Sequence, residues 1–251
     1  MSLAHDIYSV ALMDMYYLKR NFIPVMVSSI TMPLLYFISF AYGLGDHVSD
    51  VGGVSYVAFV VPGIVALSTL SSSFSTTCSR IMVQRRFYAS FDELMLCPVS
   101  TSSVIIGKTV LGMCKSIITC AVMLGLGCLV TDDMVIGPSL ILMILLCSFV
   151  FSLLGVVGGL SVTNMASMNL FNSFVILPMT FLCGTVFSTS ALPSFAQAII
   201  YALPLTHASE CIRACALGAP FPFVSLIVLM VYGAAFYLVS YHILRRGSVS
   251  I

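Results

Sequence analysis

Apolar residues gather into six long runs, at about 22–42, 56–78, 104–130, 135–160, 173–187 and 223–244, with short polar stretches between them. A helix needs about 20 mostly apolar residues to cross a bilayer. Helices also satisfy every backbone polar group internally, so six spanning helices are predicted. Ahead of the first run, Leu3, Ile7, Val10 and Tyr17 alternate with Asp6, Ser9 and Asp14. That spacing predicts an amphipathic interfacial helix over 1–20, lying on the cytoplasmic membrane surface. Residues 80–100 mix Arg80, Arg85, Arg86, Asp92 and Glu93 with Phe87, Tyr88, Phe91, Leu94 and Leu96, and stop at Pro98. They form a polar segment with an apolar face, suited to docking rather than spanning. Residues 188–220 are apolar but interrupted by Pro193, Pro204, Glu210 and Arg213. They are expected to dip into the outer leaflet and return as a re-entrant hairpin, a course allowed where protein covers the non-helical backbone. The fold class is an all-α polytopic membrane protein, one domain over 1–251.

Charge orients the runs. Lys19 and Arg20 precede the first; Arg80, Arg85 and Arg86 follow the second; Lys108 and Lys115 open the third; Arg245 and Arg246 end the sixth. The alternate loops carry Asp46, Asp50, Asp132 and Asp133 without Lys or Arg. Short Lys/Arg-rich loops remain cytoplasmic, so both termini are expected inside the cell membrane. Arg213 alone departs from the pattern, with Glu210 three residues earlier. Lys108 and Lys115 share a helical face near the cytoplasmic end, where they are expected to snorkel to the interface.

Composition changes the picture little. Charged residues are 8% and hydrophobic residues 60% of the 251, far from the soluble norm. The near-neutral net charge of +1 hides a separation of sign across the membrane and offers nothing to a nucleic acid. Six of the nine cysteines fall inside apolar runs and read as small buried residues rather than a disulfide framework. The segment before the first run carries Asp6, Asp14, Lys19 and Arg20, so no cleavable signal is expected.

Candidate chemistry is sparse. Gly107-Lys108-Thr109 matches the end of a phosphate-binding loop, but Ser102 stands where that loop needs its first glycine, and the surroundings are a spanning helix. His207, Cys211 and Cys215 recur every four residues and could hold a metal; a helical face that happens to carry soft residues is the better reading, and no metal site is expected. No serine–histidine or paired-aspartate constellation lies in the spans, which argues against a membrane enzyme. Proline at 24 and 33 is expected to bend the first span, and Gly155 and Gly159 allow close helix approach in the fourth. Residues 68–77 contain eight hydroxyls. Ser68, Ser72 and Ser75 share one face, which either lines a hydrated pathway or tightens packing.

Four stretches together resemble the permease subunits of type-2 ABC exporters. They are Tyr56 through Pro62-Gly63-Ile64; Arg86 through Asp92-Glu93-Leu94, then Pro98-Val99-Ser100 and Gly107-Lys108; Phe181 through Gly184 to Phe187, then Leu192-Pro193; and Leu203-Pro204-Leu205-Thr206-His207, then Glu210 to Arg213 and Leu217-Gly218. They occur in the family's order. The chain departs from the pattern after the coupling arginine, where Phe87, Ala89 and Ser90 replace an acidic residue and a glycine–threonine pair, and at Cys183, more often serine.

The resemblance implies an ATP-driven exporter's membrane subunit that carries no cofactor. ATP and magnesium would be bound by a separate cytoplasmic ATPase, and a second permease copy would complete a homodimer within the membrane lipids. Coupling would fall to Arg80, Arg85, Arg86, Phe91, Asp92 and Glu93. A pathway between two copies would be lined by Ser68, Ser72, Ser75, Asn172, Thr180 and Phe181, suiting an amphipathic, drug-like, lipid-linked or glycan cargo. A secondary transporter or channel not powered by ATP is the alternative. The lack of acidic residues in the span cores counts against ion coupling.

Overall fold

The computed structural model describes residues 3–41, 55–131, 134–182 and 194–247, and these contain helices and no strands. Five helices are long and apolar enough to span a membrane: α2 (Phe22–Ala41), α3 (Tyr56–Arg86), α5 (Thr101–Val130), α6 (Pro138–Ser161) and α11 (Phe223–Gly247). Shorter elements are α1 (Leu3–Arg20), α4 (Ser90–Leu96), α7 (Met165–Phe171), α8 (Leu177–Leu182), α9 (Ser194–Tyr201) and α10 (Pro204–Leu217). A π-helical turn over Asn172–Ile176 joins α7 to α8 in one rod. The expected span at 173–187 therefore starts earlier, at Met165, and 183–187 lie outside the described residues.

Side-chain caps set several of these starts. The Ser55 hydroxyl accepts from the Ala58 amide at 3.3 Å, and the Ser100 hydroxyl from Ser103 at 3.2 Å. Asn164 Oδ1 accepts from the Ser167 amide at 2.8 Å. Each satisfies an amide the first helical turn leaves unpaired. Asn164 thus caps α7.

α3 is the central column. Its N-terminal half, including Val60, Ile64, Val65 and Leu70, is buried from nearly all sides. α5 and α6 flank it, α10 covers its N-terminal end, and α11 lies against α6. The α3–α6 contact is set by glycine. A Cβ on Gly155 would sit 2.9 Å from the Phe74 carbonyl oxygen, and one on Gly159 would sit 2.8 Å from the Ile81 Cβ. The small-xxx-small spacing thus lets the backbones approach, as expected from the sequence.

α1 packs on α5 with Asp6, Val10, Ala11, Asp14 and Leu18 buried. Leu3 and Tyr17, read as part of the apolar face, are exposed instead. The face is rotated because Asp14 is neutralised inside, as described below.

α9 and α10 form a tight pair. Thr206 donates to the Ile200 carbonyl at 2.6 Å, His207 Nε2 lies 2.9 Å from the Tyr201 carbonyl, and the Tyr232 hydroxyl donates to Ala202 at 2.6 Å. These side chains satisfy the last carbonyls of α9 and explain the Leu203-Pro204-Leu205-Thr206-His207 stretch: Pro204 opens α10, and the next residues lock the turn. His207 Nδ1 is 3.2 Å from the Ser225 hydroxyl, which donates to Glu210 Oε2 at 2.6 Å and so ties α10 to α11. Both ring nitrogens of His207 are engaged within the protein. Gly218, at φ +64°, closes α10 in the left-handed conformation. Of the expected hairpin, 188–193 lie outside the described residues, and Gly184 and Pro193 with them.

Candidate translocation site and coupling surface

A cavity of about 360 Å³ opens between α2, α3, α5 and the Met165–Leu182 rod. Ser71, Ser72 and Ser75 face it from α3, Asn172 and Thr180 from the rod, and Tyr36 from α2. Four of the six expected pathway residues, Ser72, Ser75, Asn172 and Thr180, thus meet in one place. The other two do not: Ser68 is fully buried and donates to the Ile64 carbonyl at 2.8 Å, while Phe181 is exposed outside the cavity. The hydroxyl run divides accordingly. Ser68, Thr69 and Ser73 bond carbonyls of their own helix, while Ser71 and Ser75 face the cavity and Ser72, on the same wall, is buried with its hydroxyl 3.4 Å from that of Thr119.

The π turn contributes Asn172 and Ile176 to the cavity wall. Such turns insert a residue into the helical ladder and widen it locally, a geometry frequent at functional sites. Phe74 stacks on Phe171 with centroids 5.4 Å apart, fixing the rod against α3.

A second cavity, about 470 Å³, continues from the first and shares Ser75 and Lys115 with it. Tyr17, Ser79, Arg80 and Tyr88 line its other side. Lys115 therefore stands between the two spaces. It does not snorkel, being 9% exposed.

Lys108 does not snorkel either. Its amine is buried, donating to Asp14 Oδ2 at 2.8 Å and to Gln84 Oε1 at 2.7 Å. Asp14 Oδ1 accepts from Arg80 Nε at 2.9 Å and from Gln84 Nε2 at 3.0 Å. Arg80 also stacks over the Tyr17 ring at 4.2 Å. One carboxylate so binds α1 to α3 and α5. This arrangement explains why α3 runs past Cys78 to Arg86: its charged last turns are solvated by protein.

The arginines at the C-terminal end of α3 play unlike parts. Arg80 belongs to the Asp14 network. Arg85 donates to the Leu160 carbonyl at the end of α6 and lies 5.9 Å from the Phe91 ring. Arg86 is exposed. Phe91, 4% exposed, is buried with Ile81, Ile105, Val156 and Leu160 and anchors α4. Asp92, Glu93, Phe87, Tyr88 and Pro98 all face outward. Ala89 makes the turn between α3 and α4 at φ +53°, a conformation that favours glycine.

In the N-terminal part of α3, Pro62 interrupts the ladder beside Gly63. Arg213 donates to the nearby Phe59 carbonyl at 3.3 Å and covers the Phe59 ring at 3.8 Å. Burial lowers its pKa to about 10, with Glu210 opposing the shift, so it stays charged. Its departure from the charge pattern thus has a local partner.

Asp14 and Gln84 were not singled out as site residues by sequence reasoning, and Lys115 was read only as a snorkelling lysine. Asp14 carried a signal, since it lies four residues from both Val10 and Leu18, on the face that α5 covers.

Apolar helices around a half-polar cavity, without a catalytic constellation among the described residues, define a multi-pass membrane permease. Residues 10–217 match the ABC-2 type transporter family, and the chain belongs to it. It is 27% identical over 231 residues to the inner membrane transport permease YadH of Escherichia coli (strain K12), an alignment covering 91% of this chain and 90% of that protein. It is also similar to Nodulation protein J of Neorhizobium galegae, 27% identical over 241 residues with 91% of each chain covered. Nodulation protein J of Rhizobium leguminosarum bv. viciae is 28% identical over 237 residues, covering 91% of this chain and 89% of the relative.

Proposed function

We propose that this permease is the membrane subunit of an ATP-driven exporter and moves an amphipathic cargo out of the cell. ATP and magnesium belong to a separate cytoplasmic ATPase; this chain transmits the work. The supporting observation is the segment after α3. Phe91 and Arg85 anchor it to the bundle, while Arg86, Phe87, Tyr88, Asp92 and Glu93 stand free on its outer side. A rigid helix with mixed charge and exposed aromatics has the make-up of a protein interface. Its anchors reach α6 directly, so a push on α4 is carried into the bundle.

In this reading both termini are cytoplasmic, α1 lies in the interface, the Met165–Leu182 rod belongs to the fifth of six spans, and α9–α10 form a re-entrant outer hairpin. Two copies form a homodimer, facing each other across the cavity that holds Ser72, Ser75, Asn172 and Thr180. The cavity's hydroxyl, amide and apolar walls suit a lipid-linked, glycan or drug-like molecule, which binds through weak exchangeable contacts.

The reading is tested by exchanging the two exposed charges nearest Arg85, which keeps their sum beside that anchor unchanged. Arg86→Glu combined with Asp92→Arg should leave insertion and thermal stability unchanged. It should reduce copurification of a coexpressed ATPase subunit, or cargo-stimulated ATP hydrolysis, by roughly tenfold, the scale of losing a few interface contacts. Unaltered association and transport in this variant would reject the coupling role.

A further inference from the structure

We propose that Lys115 is an anion-recognition residue and that the cavity it faces receives the acidic headgroup of an amphiphile, phosphate or carboxylate. This rests on the permease reading above and specifies the chemistry its site selects.

Lys115 is one of two lysines on α5, and the two are treated differently. Lys108 has Asp14 and Gln84 against its amine. Lys115, equally part of the helix and 9% exposed, has no hydrogen-bond or ion-pair partner for its amine among the described residues. It stands about 21 Å along α5 from Thr101, at 1.5 Å per residue, level with Ser72 and Ser75 in the middle of α3. An ionisable side chain at such depth marks a substrate or ion pathway, because an unpaired charge there is costly. Its compact ammonium has three donors, suited to a phosphate or carboxylate oxygen.

The surroundings have the same bias. Among the described residues, no Asp or Glu lines either cavity that Lys115 faces. The cavity nearer Tyr88 adds Arg80, which shares the single carboxylate of Asp14 with Lys108, so that group keeps one surplus positive charge. An acidic headgroup moving from Arg80 towards Lys115 therefore meets cations and hydroxyls throughout. Beyond Lys115, Ser71, Ser72 and Asn172 supply further donors, while Met32, Ile176 and Leu177 offer an apolar wall to a chain. A charge-assisted contact at Lys115 would be stronger than any of the neutral ones.

The test uses the full-length permease alone, in phosphatidylcholine nanodiscs. Binding of dodecyl phosphate is compared with that of dodecyl maltoside. The expected result is a preference of roughly tenfold or more for the phosphate. The preference should vanish in Lys115→Met and persist in Lys115→Arg. Should Lys115→Met not fold, Ser75→Asp places a carboxylate beside the retained lysine and should abolish the preference equally. Equal binding of both amphiphiles by the native protein, or an undiminished preference in both variants, would overturn the proposal. Adding phosphatidylglycerol separates the sources. Competition at equal mole fraction identifies a membrane lipid as the occupant; its failure to compete, with dodecyl phosphate still bound, identifies a single-chain cargo. No ATPase is present, so loss of the anion preference leaves the coupling proposal standing, and failure of coupling leaves the anion site intact.

Discussion

A single carboxylate, Asp14, joins three helices, and its worth follows from what its loss would strand. Arg80 and Lys108 would face each other with only Gln84 between them, in a site where Lys108 is 2% exposed. Removing one partner of a buried ion pair leaves an uncompensated charge and costs about 3–5 kcal/mol. Asp14→Asn should therefore lower the unfolding free energy by about 3 kcal/mol in detergent. Adding Lys108→Met should recover part of it, and a double-mutant cycle of thermal unfolding measures the coupling. Additive losses would show that the pair is not linked. This network was not legible in the sequence. Asp14 and Lys108 are 94 positions apart, and only the fold shows that an acid on the buried face of α1 meets a lysine in a span. Lys115 was equally opaque, since its identity was visible and its lack of a partner was not.

Elements were read more successfully than residues. Apolar runs located the long helices, because a spanning helix must be apolar over its whole length whatever it packs against. Their ends were misplaced wherever protein, rather than water, solvates the polar residues: α3 extends through Arg86, and the fifth rod begins at Met165 behind the Asn164 cap. The glycine spacing of α6 was informative for a different reason, since only small residues permit such a close contact. Gly159→Leu should push the Ile81 side chain and the Cys78 carbonyl aside, at about 1–3 kcal/mol for overpacking, lowering the melting temperature and folded yield. Leucine at exposed Leu142's neighbour Ile141 provides a volume-matched control that should be silent. If Gly159→Leu melts with the native protein, the α3–α6 contact is looser than the backbone distances imply. The site was half legible at this scale. Ser72, Ser75, Asn172 and Thr180 converge as their helical faces suggest, whereas Ser68 turns into the core and Phe181 away from the cavity.

For the molecule as a whole, this ABC-2 type permease separates its features by position. Exposed charge and aromatics lie on α4, cohesion rests on Asp14 and the α3–α6 glycines, and two neighbouring cavities meet at Lys115; in the proposed reading the first serves the partner and the last selects the cargo. The rod beside those cavities adds a further consequence. A π turn carries one residue more than the α ladder needs, and each α-helical residue turns the chain by about 100°. The π turn already absorbs that extra rotation of about 100°, so losing one residue between 172 and 176 would restore a regular ladder with Leu177–Leu182 still in phase and Thr180 on the cavity wall, and would re-space only the Asn172–Ile176 part of that wall. Deletion of Ser173 should therefore yield a folded, inserted protein whose cargo range is altered, measured by transport set against melting temperature. Changes of chain length usually break a helix that crosses a membrane; here one such change is a way of altering what the helix presents, so a lineage could revise its cargo by losing a codon.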